Sequence, residues 1–433
     1  MPSQVIIFWF RRDLRLEDNA GFYHALKQGK PVLPLFIFDA DILDRLEDKT
    51  DRRVNFIHQQ IEELNAQLKK QGSGMLVKHG SPLEIWKKLT KEYSISAVYT
   101  NNDYEPYARK RDKEVRELLK EDGIGFFKAK DQVIFERNEV VKDDGKPYTV
   151  FTPYKNKWRA KLEPFHYKPY PSEKYFKNLF LFSGNVPSLE KIGFLRSNYS
   201  FPAKKVSDEL ISAYKETRDI PSIDATSHLS IHLRFGTVSI RKLFAQALTI
   251  SETWTNELIW REFYQQILWH FPHVAEKTFK PQFERIPWRN DENDFQKWCE
   301  GKTGYPLVDA GMRELNATGF MHNRVRMVTA GFLTKHLLID YRWGETYFAV
   351  RLLDYDLASN NGGWQWAAGT GTDAAPYFRI FNPAEQQKKF DPDFLYIKKW
   401  VPEFGTANYP EPMVDHKFAR ERCLTVYKKG LGR

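Results

Sequence analysis

Cysteine is nearly absent from this chain: Cys299 and Cys423 are the only two in 433 residues. Their separation fits no metal-ligand spacing, so neither a disulfide framework nor a zinc or other metal site is expected, and the scarcity fits a reducing cytoplasm. Long apolar runs are missing as well. Mean hydropathy is −0.58, and no stretch approaches the ~20 apolar residues that span a bilayer, so no membrane partner is expected. The N-terminus, MPSQVIIFWFRRD, has no charged region ahead of its apolar run, and that run ends in Arg-Arg-Asp. It reads as a buried strand rather than a signal peptide. No GxGxxG follows it; the residues there are FRRDLRLEDNA, which argues against a Rossmann dinucleotide site. Low-complexity tracts and internal repeats are also lacking.

What the chain has in excess is positive charge and aromatic surface. Net charge is +10, aromatics make up 15% of residues, and 12 of them are Trp. Such a balance excludes acidic, solvating proteins and favours a polyanionic partner, nucleic acid first. Basic charge with abundant rings suits a protein that stacks on bases or on a ring cofactor.

Length allows two or three domains. Over residues 1–130, apolar runs at Val5–Phe10, Leu33–Phe38, Met75–Val77, Ala97–Thr100 and Ile124–Phe127 alternate with helical patterns, one marked by Val54, Ile57, Ile61, Leu64 and Leu68. This predicts an α/β domain, a doubly wound parallel sheet whose strand ends form a ligand crevice. Arg11, Arg12, Asp13 and Arg15 after the first run form either a loop ion-pair cluster or part of that crevice. Residues 131–200 lose periodicity among scattered prolines and read as an interdomain connector. Residues 201–433 show helix after helix and predict an all-α domain.

Candidate site residues lie in that second half. Thr226, Ser227 and Ser230 precede a helical segment, where hydroxyls cap free N–H groups or seat a diphosphate. Trp254, Glu257, Trp260, Arg261 and Tyr264 share one helix face. An i, i+4 ion pair accounts for Glu257 and Arg261; so does a cavity floor that holds something flat and polar. Asn323, Arg326 and Met327 share another face, with Arg324 flanking it. The richest stretch is RLLDYDLASNNGGWQWAAGTGTDAAPYFRIFNP, which combines Asp354, Asp356, Asn360, Asn361, a Gly pair, Trp364 and Trp366. Carboxylates, amides and aromatic faces in one place are what a pocket for a ring ligand requires.

These motifs, in order from FWFRRDLRLEDN through TSHLSIHLRFG, NELIWREFY and GYPLVDAGMRELNATGFMHNRVRM to NNGGWQWAAGTGTDAAPYFRIFNP, resemble the photolyase–cryptochrome superfamily over nearly the whole chain. Within it they are most similar to class I cyclobutane pyrimidine dimer photolyases. The resemblance implies FAD in the helical domain, lined by Tyr214, Thr226, Ser227, His228, Leu229, Ser230, Trp254, Asp354, Tyr355, Asp356 and Asn360. It implies that Glu257, Trp260, Arg261, Asn323, Arg324, Met327 and Trp366 face the damaged bases of pyrimidine-dimer DNA, with Arg218 and Gln386 reaching the strand. Asn360 would sit near the flavin N5 atom, where plant cryptochromes typically carry Asp. Met327 stands where (6-4) photolyases and animal cryptochromes commonly have His. The missing C-terminal tail speaks against a signalling cryptochrome. A blue-light receptor, a (6-4) photolyase and a cofactor-free basic DNA-binding protein are the competing readings, and a monomer is expected. Asp39 and Glu105 lie where the family holds an antenna; methenyltetrahydrofolate, deazaflavin, a second flavin and none remain open. The family's three-Trp electron relay is matched at Trp364 and Trp288, but the middle position is Tyr341, with Trp343 two residues on as a substitute. Photoreduction slower than through a full Trp relay is expected.

Overall fold

The computed structural model describes residues 4–432. The chain divides into two units: residues 1–136, 162–206 and 228–249 form one, and residues 137–161, 207–227 and 250–433 the other.

The first unit is built on a parallel sheet of five strands, β1 (Val5–Phe10), β2 (Val32–Asp39), β3 (Leu76–Gly80), β4 (Ile95–Asn101) and β5 (Gly125–Ala129), in the order β3-β2-β1-β4-β5. Each of the five strands overlaps one of the five apolar runs, with β3 starting one residue later and running on to Gly80. Every residue of β1 and β2 is buried, while β3 and β5 at the edges are partly open, as expected when helices cover both faces of a parallel sheet. Ile7 lies between Leu33 of β2 and Val98 of β4. The helix Arg52–Lys69 buries Val54, Ile61, Leu64 and Leu68 as the periodicity predicts, but Phe56 takes the place expected for Ile57.

The strand order switches between β1 and β4, so the crevice lies beyond their carboxyl ends at Phe10 and Asn101. Ion pairs fill its mouth. Arg11 pairs with Asp112, Arg12 reaches Glu105 at 2.7 Å, and Arg111 lies 4.9 Å over the Trp9 ring. Asp39 accepts the Tyr107 hydroxyl at 2.7 Å and caps the short helix Ala40–Leu43. The ion-pair reading of the arginine loop therefore holds, but the groups are buried rather than on the surface. Below, Arg15 meets the Asp131 carboxylate at 2.7 and 2.8 Å, and Arg241 meets Asp131 at 2.8 Å and Asp18 at 2.9 Å. Burial raises the Asp131 carboxyl, but Arg15 and Arg241 more than offset this and hold it down at about 2.

The second unit is helical. A core around Trp298, Leu315, Met321, Val325, Leu333, Tyr341, Phe348 and Trp364 joins its central helices. Where no periodicity was expected, FTPYKNKWRAK forms the helix Phe151–Lys161, which buries Phe151, Tyr154 and Trp158.

Candidate active site

The helix Glu252–His270 sets the frame. Ser251 caps it by accepting the Trp254 N–H. Leu258, Ile259, Glu262 and Phe263 are buried, whereas Glu257, Trp260, Arg261 and Tyr264 are half-open. Those four recur at three- and four-residue steps, so they form one partly open face of the helix. Trp254, on the same face one turn earlier, is buried, 4% exposed. Glu257 does not pair with Arg261 four residues on; its partner is Arg218, at the end of the helix Asp208–Thr217. Burial raises the Glu257 carboxyl above its ordinary value, against the pull of Arg218. Arg218 also lies 5.2 Å over the Tyr214 ring.

Trp260 is covered on one face. Phe151 stacks on it at 3.7 Å between centroids and 7° between planes, leaving the remaining surface of Trp260 half-open. Tyr264 is tilted against Trp260 at 5.6 Å and packs on Gly362 so closely that a Cβ there would lie 2.1 Å from the ring.

The helix Asn323–Gly331 adds two cations. Arg324 pairs with Asp219 at 2.9 Å and lies 4.4 Å over the Phe390 ring. Arg326 pairs with Asp354 at 3.1 Å and donates to the Met321 carbonyl at 2.7 Å. His322 caps this helix by accepting the Arg324 N–H, and its Nε2 is buried without a partner among Asp219, Arg218, Arg324 and Arg326. Burial pushes the His322 imidazole down to about 4, so it is neutral at pH 7. On the helix Pro383–Phe390, one turn before Phe390, the Gln386 Oε1 is also buried without a partner. Asn323 is exposed and Met327 half-open.

The Gly-rich stretch is helical from Leu357 to Ala368, capped by Asp356, which accepts the Ser359 N–H at 3.1 Å. Asn360 is 9% exposed and donates its amide to the Glu345 carbonyl at 3.0 Å, while Asn361 donates to the Glu345 carboxylate at 3.1 Å. Burial pushes the Glu345 carboxyl up to about 7. Trp364 is buried, and Trp366 and Tyr355 are half-open. Gly363 faces open space: a Cβ there would meet nothing within 4 Å.

Thr226 and Ser227 close their segment of the second unit; His228, Leu229 and Ser230 open the next segment of the first. Leu229 precedes the helix Ser230–Phe235, and its own side chain makes no capping bond. Just before it, His228 has φ 49°, in the left-handed region. A left-handed histidine costs about 1 kcal/mol or more, a strain that collects at ligand sites.

Two family models match the chain: DNA photolyase over residues 6–173, and the FAD binding domain of DNA photolyase over residues 254–408. The deoxyribodipyrimidine photo-lyases of Synechococcus sp. and Escherichia coli are each 36% identical, over 98% of this chain and 96% and 98% of theirs. The chain belongs to the DNA photolyase family. Solved relatives agree. A class III photolyase of Agrobacterium tumefaciens matches with TM-score 0.87 and 32% identity over 100% of this chain and 99% of that one. An archaeal photolyase of Sulfolobus tokodaii with two FAD molecules matches with TM-score 0.85 and 34% identity, over 98% and 100%. A Synechocystis cryptochrome matches with TM-score 0.85 at 26% identity, over 98% and 99%.

The photolyase family is one of light-dependent DNA-repair enzymes, and FAD is the cofactor of this chain. The second unit's residues fit a flavin. An Arg326–Asp354 pair, the Asn360 amide and a carboxyl titrating near neutrality give polar groups of both signs. The buried His322 Nε2, without a partner, leaves hydrogen-bonding capacity. Sequence reasoning missed Glu345, Phe151, His322 and the partner of Asp354. Only the Asp354 pairing had a readable signal: Arg326 had been noted as a cation on a face shared with Asn323 and Met327.

Proposed function

We propose that this photolyase splits cyclobutane pyrimidine dimers in DNA. When bound, reduced FAD would supply the light-driven electron transfer that opens the cyclobutane ring. The chain's own groups hold, orient and exclude water. The Arg326–Asp354 pair would offer a fixed cation and carboxylate to polar edges of the cofactor, and Asn360, oriented by its bond to the Glu345 carbonyl, would offer a neutral amide. An amide there is neutral, so it tolerates a reduced, anionic ring better than an Asp would.

The observation that carries the lesion assignment is the half-open face of the helix Glu252–His270. It sets a carboxylate held by Arg218 beside a Trp whose far side is braced by Phe151. The free surface of Trp260, with Trp366, offers apolar walls to a flipped-out dimer. Glu257 hydrogen-bonds its carbonyl and amide edge, which is favourable as negative charge develops there if the carboxyl carries its proton. Burial raises the Glu257 carboxyl in that direction. Extrusion costs less for a dimer because damage already weakens its pairing. Met327 adapts to the irregular apolar lesion. Arg218, Arg261 and Arg324 neutralise strand phosphates, and Asn323 and Gln386 offer polar contacts.

The test is dimer loss from an oligonucleotide with one thymine cyclobutane dimer, under anaerobic reduction, in blue light and in darkness, with a (6-4) lesion in parallel. Light-dependent loss of the cyclobutane lesion alone is expected. Loss of only the (6-4) lesion would overturn the role of Met327. A yellow, flavin-loaded protein that repairs neither would favour the receptor reading.

A further inference from the structure

The relay position that departs from the family also departs in its packing. Tyr341 is buried, 1% exposed, and among the described residues its ring contact is the Arg342 guanidinium, 4.9 Å from the centroid. No other ring stacks on it, and no described side chain accepts its hydroxyl proton. A tyrosine gives up an electron readily only when its proton leaves as well. Burial raises this phenol above its ordinary value and makes that loss harder.

The rings that do meet Trp364 lead elsewhere. Trp364 packs its six-membered ring on Gly344 and lies 6.1 Å from Trp298, edge to face. Trp298 is fully buried and stacks on Phe295 at 5.8 Å and 19°. Phe295 meets Trp343 edge to face at 5.2 Å, and Trp343 is half-open. Tunnelling falls steeply with the gap between rings, so a column in contact is a path. Trp298 is suited to carry a transient positive charge. Its Nε1–H donates to the Thr329 carbonyl at 3.1 Å, which favours the cation and gives the proton no route to water. Tyr347, beside Trp298 at 5.9 Å, donates its hydroxyl to the Asn316 amide oxygen at 2.7 Å, an acceptor too weak to take the proton.

We infer that photoreduction in this chain runs Trp364–Trp298–Trp343, with Phe295 as the bridging ring, and bypasses Tyr341. The inference rests on the flavin reading above. One electron passes from Trp364 to the bound, photoexcited oxidised flavin. Trp298 refills Trp364, and Trp343 refills Trp298. The half-open Trp343 radical cation loses its indole proton to water, and a solution thiol then returns one hydrogen atom to it, leaving a thiyl radical. Trp343 is thus the exit of the relay and Trp298 its interior step.

The experiment uses the full-length, flavin-loaded protein under blue light with dithiothreitol and a nitroso spin trap. Trap adducts are located by peptide mass spectrometry, and flavin reduction is followed by absorbance. The adduct is expected on Trp343 in the parent, and at undiminished yield in Tyr341→Phe. Trp298→Phe and Trp343→Phe should each slow flavin reduction about tenfold or more, with flavin stoichiometry confirming an intact site. Tyr341→Trp should open a second outlet, seen as a new adduct on Trp288. Should Trp298→Phe fail to hold flavin, the half-open Trp343→Phe still decides. An adduct on Tyr341, or on Trp288 in the parent, would overturn the bypass. So would reduction at parent rate in Trp343→Phe. Dimer repair by chemically reduced parent protein tests the function independently, so failure of one is distinguishable from failure of the other.

Discussion

Two adjacent glycines make opposite predictions. At Gly362 a Cβ would lie 2.1, 2.3 and 2.8 Å from three atoms of the Tyr264 ring. Ordinary carbon contacts lie at about 3.5–4.0 Å, so the ring must retreat by about 1.5 Å. Its way is not clear, because Trp260 and Phe263 stand 5.6 and 5.8 Å away. Overpacking of this kind costs about 1–3 kcal/mol, against about 1 kcal/mol gained when alanine replaces glycine inside a helix. Gly362→Ala is therefore expected to destabilise by up to about 2 kcal/mol, while Gly363→Ala, which meets nothing within 4 Å, should stabilise by about 0.5–1 kcal/mol. Urea unfolding of the flavin-loaded protein, followed by circular dichroism, measures both. Because Tyr264 abuts Trp260, Gly362→Ala should also weaken binding of dimer-containing DNA. A Gly362→Ala protein as stable as Gly363→Ala would refute the packing argument.

Three further outcomes follow from charge. Glu345 has a folded pKa raised to about 7, so its contribution is fully present below the unfolded value near 4.3 and lost as pH rises through 7. Urea midpoints should show Glu345→Gln gaining on the parent between pH 5 and pH 8, by on the order of 2 kcal/mol; a pH-independent difference would count against it. Arg326→Met leaves Asp354, 9% exposed at its side chain, without its cation. This should cost about 3 kcal/mol and lower the flavin-to-protein ratio measured by absorbance, with Asp354→Asn milder. Arg218→Ala removes a proposed phosphate contact, so the slope of log affinity against log salt for dimer DNA should fall by about 1; an unchanged slope would place Arg218 off the strand.

Sheet and helices were legible because their signals are local. Runs such as VIIFWF and the three- and four-residue steps along NELIWREFYQQILWH need no knowledge of the rest of the chain. Pairings across distance were not. Glu257 had a cation four residues away in Arg261 and took Arg218 instead, and Asp354 found Arg326 on another helix. Phe151 stood in a stretch without periodicity, so nothing announced it as the brace of Trp260. The left-handed turn at His228 was not legible either, because capping preference says nothing about such a residue. The order of the strands likewise depends on crossovers that no single run reveals.

The cluster of Arg15, Asp18, Asp131 and Arg241 bears on how the chain is made. Arg15 and Asp18 are synthesised first of the four, Asp131 follows much later, and Arg241 only after the polypeptide has begun its second unit. Until Arg241 leaves the ribosome, Asp18 and Asp131 face burial with Arg15 as the one arginine of this cluster to compensate them. Burying a carboxylate without its cation is strongly unfavourable. The nascent sheet is therefore expected to keep that corner open until Arg241 has been translated. An N-terminal fragment ending before residue 228 would be a folding intermediate held ajar, exposed to proteases and chaperones, rather than an independent module.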